Sequence, residues 1–196
     1  MKLVVISDTH FGHKNIIKYC NRPFEDVDAM TKGMIAMWNI VDASDDVYFL
    51  GDFAFMGSGP KKAVFSALHG TKHLIRGNHD NGDTCKLPWD SVQDYLEIKP
   101  RFETRDENDE PKTYPLHIVM SHFPFLSWHG MAHGSIHLHG HCHGTLMDKG
   151  GLRMDAGVDP NEFKMLSLDD VVATMAMRTV VPTDYHKKDH GKEYVA

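Results

Sequence analysis

The order of apolar segments along the chain predicts an α/β fold with a central sheet. Three observations carry this. Strand-like runs at Lys2–Ser7, Asp46–Leu50 and His73–Arg76 alternate with two helical patterns, giving a β-α-β-α-β order. Five further short strand-like runs follow in the second half, separated mostly by loops. The first-half runs each end in polar residues able to ligate a metal, at the strand edge where open α/β sheets gather their ligands.

The elements can be justified in order. Lys2–Ser7 is β-branched and continuous, as a buried strand requires. From Asp26 to Val41, Val27, Met30, Met34, Met37, Trp38 and Val41 recur at spacings of three and four, the stripe of an amphipathic helix. Asp46–Leu50 is the second strand, closing on Gly51-Asp52. Pro60 opens a helix to Leu68, with proline in the first turn and Gly70 beyond the end. His73–Arg76 is the third strand, closing on Gly77-Asn78. Tyr95–Lys99, Leu116–Met120, Ser135–His139, Leu152–Ala156 and Thr179–Val181 predict a second, largely antiparallel sheet. The charged segment Pro100–Pro115 predicts an exposed hairpin or loop. Ser167–Met177 predicts a helix capped by Ser167, with Asp169 and Asp170 in its first turn. Residues 1–184 are expected to form a single domain, and 185–196 a polar C-terminal tail.

Composition narrows the function classes. A chain of 196 residues with 41% hydrophobic content can bury one core. A net charge of −6 offers no global grip on nucleic acid, so nucleic acid is not the favoured partner. Cys20, Cys85 and Cys142 are odd in number and far apart, which predicts no disulfide framework and a reducing compartment. The N-terminal apolar run is too short for a signal core or a membrane span, so a cytoplasmic protein without a membrane partner is expected. One feature stands apart: eight of the 15 histidines fall between His117 and His143, and histidine is the commonest side-chain metal ligand.

The ligating groups at the strand ends are Asp8-Thr9-His10, Gly51-Asp52, Gly77-Asn78-His79-Asp80, Ser121-His122 and the stretch His137–Gly144. Carboxylate, imidazole and amide oxygen without thiolate suit Mn, Fe, Ni or Zn in a catalytic role, whereas structural zinc favours closed, cysteine-rich sets. One carboxylate able to bridge, among several imidazoles, suits two ions ~3.5–4 Å apart.

These residues resemble, in order, the five motifs of the calcineurin-like metallophosphoesterases: Asp8-x-His10, Gly51-Asp52, Gly77-Asn78-His79-Asp80, Ser121-His122 and Gly140-His141-x-His143. Gly157-Val158-Asp159 is similar to the end of that family's last core strand. The resemblance implies a four-layer α/β/β/α sandwich, with two mixed sheets flanked by helices. It implies that Asp8, His10 and His143 hold one ion, that Asn78, His122 and His141 hold the other, and that Asp52 bridges them. His79 would contact the substrate phosphate and protonate the leaving oxygen, with Asp80 orienting its ring. The ions, divalent or trivalent with Mn foremost for activity, would share a hydroxide aimed at phosphorus.

The departures are informative. Gly51-Asp52-Phe53-Ala54-Phe55-Met56-Gly57 lacks the arginine of the protein Ser/Thr phosphatases, and Phe55 stands where purple acid phosphatases carry a tyrosine ligand. The compact length argues against nucleases of this family with capping domains. Ser7–His13 and Asn21–Phe24 look like stretches of small bacterial and phage phosphoesterases. A phosphodiesterase acting on a small, nucleotide-type phosphoester is therefore expected, ahead of a phosphomonoesterase or nuclease; a non-enzymatic scaffold is disfavoured because all seven ligands are present. Monomer and homodimer are both compatible with the sequence.

Three His-x-His registers compete within His137–Gly144. His137 and His139 share one face of the strand, which runs out at Gly140, and Gly140 and Gly144 bracket the next pair. His141 and His143 are therefore the ligand pair. His139 stands behind them or rivals them, and Cys142 packs. His13 and Arg22 are the foremost substrate contacts, Arg22 because a guanidinium forks onto phosphate; His129 and His133 are weaker candidates. Arg76 is read as loop support. Trp89, Phe123, Phe125 and Trp128 are candidates for an aromatic wall.

Overall fold

The computed structural model describes residues 2–147 and 151–180. The elements in chain order are β1 Leu3–Ile6, α1 Lys14–Tyr19, α2 Val27–Trp38, β2 Asp46–Phe49, α3 Ser58–Ala67, β3 Thr71–Ile75, α4 Gly82–Cys85, β4 Ser91–Gln93, β5 Tyr95–Ile98, β6 Arg101–Arg105, β7 Pro111–Pro115, β8 Ile118–Ser121, β9 Ile136–His139, β10 Arg153–Asp155, β11 Leu166–Ser167 and α5 Leu168–Met175, with a 3-10 turn at Met131–His133. Most predicted elements are present within a residue or two.

The first sheet runs β11-β1-β2-β3-β4, parallel except for β11. The second runs β10-β9-β8-β5. Its expected antiparallel character is corrected: β8, β9 and β10 are mutually parallel, and only β5 runs the other way. The burial explains this, since β8 and β9 are buried at every position, as parallel strands covered on both faces are. Both sheets are mixed and helices flank them, as the fold class requires. The 100–115 segment is the exposed hairpin β6-β7. Thr179 and Val180 are not in a strand; Val181 and the tail from 185 lie outside the described residues.

Two apolar cores organise the layers. One face of the first sheet, through Val4, Ile6, Val47, Phe49 and Leu74, packs on Met30, Met34 and Trp38 of α2 and on Val64 and Phe65 of α3. The other face, through Val5, Leu50 and Ile75, meets Ile118, Met120, Ile136 and Leu138 of the second sheet, and Val171 and Met175 of α5 close that core. Each large side chain so buried contributes about 1.5–3 kcal/mol. Over the far side of the second sheet, Trp128 and Met131 of the 123–134 segment pack on Val119. The helix ends are specified locally: Asp26 caps α2 by accepting from Ala29 N, and Ser167 and Asp170 form a reciprocal capping box on α5. Among the described residues, no helix is long and apolar enough to cross a membrane.

Because β1, β2 and β3 are parallel, and so are β8 and β9, the turns after all five strands open at the carboxyl edge of their own sheet. With the two sheets face to face, these edges bring Asp8, Asp52, Asn78, His122 and His141 together.

Candidate metal centre

The ligand atoms fall into two half-clusters that meet at Asp52. On one side, Asp8 Oδ1 is 3.8 Å from His10 Nε2 and 3.9 Å from His143 Nε2. On the other, Asn78 Oδ1 is 3.0 Å from both His122 Nε2 and His141 Nδ1. Asp52 Oδ2 is 3.6 Å from His10 Nε2 and 3.6 Å from His122 Nε2. Donors about 2.0–2.2 Å from an ion lie roughly 3–3.5 Å from one another, so both half-clusters are near coordination spacing.

The donor atoms suit a cation. Asp8 Oδ1 and His10 Nε2 are buried and without hydrogen-bond partners, an arrangement that costs stability unless something positive satisfies them. His122 Nδ1 donates to the Leu50 carbonyl at 2.7 Å, which turns its Nε2 towards the amide oxygen of Asn78. His143 Nδ1 donates to Asp159 Oδ2 at 2.6 Å, turning its Nε2 towards Asp8 in the same way. Ligating histidines are oriented by such bonds on the opposite nitrogen.

Burial sets the electrostatics. Burial first, then the charges of Asp52 and Asp155, raises the Asp8 carboxyl to about 7 against the pull of His143 and Ser7. Burial, aided by neighbouring cationic groups, drives the His10 ring down to about 2 and lowers His141. Burial also works to lower His143, but its bond to Asp159 and the Asp8 charge prevail and raise it.

The loops that hold these groups approach at backbone contact. A Cβ at Gly140 would lie 2.0 Å from Ser7 Oγ and 2.5 Å from Asp8 Oδ2, and one at Gly77 would lie 2.3 Å from Asp52 Oδ1; only glycine fits either place. Asp80 has its two oxygens on the amides of Asp52, Phe53 and Gly77, at 2.8, 3.0 and 2.9 Å. This corrects the expectation that it orients the His79 ring: it ties the Asp52 turn to the Gly77 turn instead. Burial raises its carboxyl against those three bonds.

The family model for calcineurin-like phosphoesterases matches residues 1–195. The chain belongs to the calcineurin-like phosphoesterase family. Membership in that family fits the candidate ligand groups gathered here, Asp8 with His10 and His143, and Asp8 with Asp52 and His122. An uncharacterized protein of Methanocaldococcus jannaschii is 52% identical over 82 residues, 40% of this chain and 47% of that one, so the chain spans about half the length of that relative. The gene 66 protein of Mycobacterium phage D29 is 28% identical over 166 residues, 72% of this chain and 78% of the phage protein. A solved structure of a protein of unknown function from Aquifex aeolicus shares the fold at TM-score 0.62 and 21% identity, over 88% of this chain and 98% of that one.

His79 lies at the opening of the cluster. Its side chain is 43% exposed, Nε2 is 4.0 Å from Asp52 Oδ2, and its amide donates to Asp52 Oδ1 at 2.9 Å. His13 also reaches the site, stacking on Phe55 with centroids 4.7 Å apart.

Arg22 is corrected from substrate contact to buried brace. It is 4% exposed, and all five of its N–H groups are spent: on both Asp159 oxygens at 2.8 and 2.9 Å, on the Asp8 and Thr9 carbonyls at 2.7 and 2.9 Å, and on Met30 Sδ at 3.6 Å. His129 and His133 lie elsewhere, His129 on Glu97 and His133 beside Tyr114 and Val172. His139 is buried, with Nδ1 on the Gly140 carbonyl at 2.8 Å and its ring beside Asp155 and Arg153, behind the ligands. Arg76 forks onto Asp94 at the surface.

Of the four aromatic candidates, only Phe123 walls the site, 4.6 Å from the His141 ring. Trp89 packs in the first core, and Trp128 and Phe125 pack around His137. Phe55, read from the sequence only as the absence of a tyrosine ligand, is an exposed ring against His13 and His79, a site role the sequence reading missed. Its place two residues after the buried Phe53 was the available signal.

Proposed function

We propose that the chain is a phosphodiesterase for small, nucleotide-type substrates, with Asp8, His10 and His143 holding one ion, Asn78, His122 and His141 the other, and Asp52 between them. The observation that carries the dinuclear reading is Asp52 Oδ2, equidistant at 3.6 Å from a histidine of each half-cluster. Mn2+ is the ion proposed to support activity best, given the oxygen and imidazole donors. When bound, such ions supply Lewis acidity towards the phosphoryl oxygens and towards water.

The chain's own residues do the rest. His79, exposed at the mouth and held by its amide on Asp52, binds the phosphate and delivers a proton from Nε2 to the departing oxygen. Asp80 keeps the Asp52 and Gly77 turns in register. His13 lines the same side. A phosphodiester carries an organic group on each side of phosphorus, and two exposed rings flank the cluster: Phe55 near His79, and Phe123 over His141 and His122. That pairing supports a diester over a monoester.

Metal-free protein is expected not to hydrolyse bis-p-nitrophenyl phosphate, and Mn2+ or Ni2+ to restore turnover. Full turnover in excess chelator would overturn the reading. A panel of mononucleotides, 2′,3′- and 3′,5′-cyclic nucleotides, dinucleotides and single-stranded DNA then tests the substrate class. Faster turnover of mononucleotides than of any diester would replace diesterase by monoesterase.

A further inference from the structure

Four groups of His, Cys, Asp and Glu side chains converge at metal-ligand spacing among the described residues, and three of them share residues with the centre or its Asp159 support. The fourth, Glu97, His117 and His129, shares none. It joins β5, the residue before β8, and the segment between β8 and β9. His117 and the ligand His122 are five positions apart on one strand path, roughly 16 Å at about 3.3 Å per residue, which puts the group well away from the centre.

Its geometry is more specific than a surface ion pair requires. His117 Nε2 and His129 Nδ1 each lie 2.8 Å from the same oxygen, Glu97 Oε2. The two rings are near perpendicular, at 83° with centroids 5.2 Å apart, so they approach that oxygen from different directions. The Tyr95 hydroxyl bonds to the other oxygen, Oε1, and so fixes the carboxylate from behind, as the outer partner of a ligating carboxylate does. The side chains of Glu97 and His129 are 28% and 69% exposed, so an ion can enter from solvent. Tyr95, His129 and His117 together hold the Glu97 carboxyl down at about 2, ionised across the neutral range.

We propose that Glu97, His117 and His129 form a separate mononuclear site that takes one divalent ion of the zinc type, through two imidazole nitrogens and a carboxylate oxygen, with its remaining position open to water. Two histidines and a glutamate are a donor set that zinc accepts in open sites. On binding, the ion takes the place of the protons on His117 Nε2 and His129 Nδ1, which move to the opposite ring nitrogens or to solvent. The ion would tie the 122–134 segment, which carries Phe123 at the mouth of the centre, to β5. The proposal stands independently of the dinuclear reading.

The test is zinc stoichiometry by elemental analysis after equilibrium dialysis against micromolar Zn2+, on the full chain. His129 is mostly exposed, so His129→Ala is expected to fold. Wild type should hold one equivalent more than His129→Ala, with the same kcat in Mn2+. The same one-equivalent difference should appear when both are compared in an Asp52→Asn background, where the dinuclear centre is disrupted. Glu97→Gln should lose the same equivalent. Equal zinc in wild type and His129→Ala, in both backgrounds, would overturn the site.

Discussion

The sharpest prediction concerns Asp159, which touches no substrate and is proposed to hold no ion. Its carboxylate takes a fork from Arg22 at 2.8 and 2.9 Å and the Nδ1–H of His143 at 2.6 Å. Burial pushes this carboxyl up, yet the bonds from His143 and Arg22 bring it below its ordinary value. Asp159→Asn keeps the shape but replaces one acceptor oxygen with an amide NH2 and removes the charge. Arg22, whose side chain is fully buried, is then left with an unpaired donor and an uncompensated charge. Removing one partner of a buried pair costs about 3–5 kcal/mol. Asparagine retains one acceptor, so the lower end, about 3 kcal/mol, is expected. At about 2–4 °C per kcal/mol for a domain of this size, Tm of the metal-free protein should fall by roughly 6–12 °C. His143 Nδ1 shares Oδ2 with Arg22, and loss of the carboxylate charge weakens the bond that turns its Nε2 towards Asp8, so Mn2+ affinity should fall about 10- to 100-fold. Thermal unfolding without metal reads the first effect, and Mn2+ titration of folded protein at low temperature reads the second. Arg22→Lys separates them: lysine cannot fork, so Tm should fall, while His143 keeps its acceptor and metal affinity changes less. An Asp159→Asn protein with wild-type Tm and Mn2+ affinity would refute the argument.

Three further outcomes follow from the site. His79→Ala should retain full metal content while kcat drops about 10²–10⁴-fold; loss of metal instead would make His79 a ligand. Asp8 must give up its proton to ligate, and burial holds that proton up to about 7, so Mn2+ affinity at this ion should weaken as pH falls below about 7 and level off above it; a flat profile from pH 5 to 8, measured by titration, would contradict the assignment. Phe123→Ala should raise KM for a nucleotide diester with kcat unchanged, by about 5- to 150-fold if the ring stacks on a base for about 1–3 kcal/mol; an unchanged KM would remove it from the substrate path.

The strand ends at Gly51-Asp52, Gly77-Asn78 and Gly140-His141 were legible because a glycine stops the apolar run beside the ligating residue, and those at Ser7-Asp8 and Ser121-His122 because a serine does. The direction of the second sheet was not. The runs at 116–120 and 135–139 carry no mark of orientation, and the segment joining them has no helical period; it crosses over through a single 3-10 turn around Met131. Arg22 was misplaced for a related reason. A sequence shows that a guanidinium can fork onto phosphate, but not that a carboxylate 137 residues further on already fills the fork. Asp80 is next to His79 in the chain, yet the turn sends its oxygens to the amides of Asp52, Phe53 and Gly77.

The backbone explains why Asp80 matters without touching an ion. Among the described residues nine non-glycines have positive φ, and five of them are proposed ligands: Asp8 at 60°, His10 at 49°, Asp52 at 62°, His141 at 71° and His143 at 48°. Each left-handed non-glycine costs on the order of 1–3 kcal/mol and persists only where its surroundings over-determine it. Here the loops determine one another. The amides of Asp8 and His10 bond to the carbonyls of Gly51 and Asp52, each at 3.0 Å. The Asp52 amide bonds to Asp80 at 2.8 Å, and the His141 amide to Asp8 Oδ2 at 2.9 Å. The strain therefore sits in loops already joined by hydrogen bonds of the chain itself. Such loops present the donors before an ion arrives, which is preorganisation of the kind that electrostatic catalysis needs. It also separates this centre from structural zinc modules, which fold only around their metal.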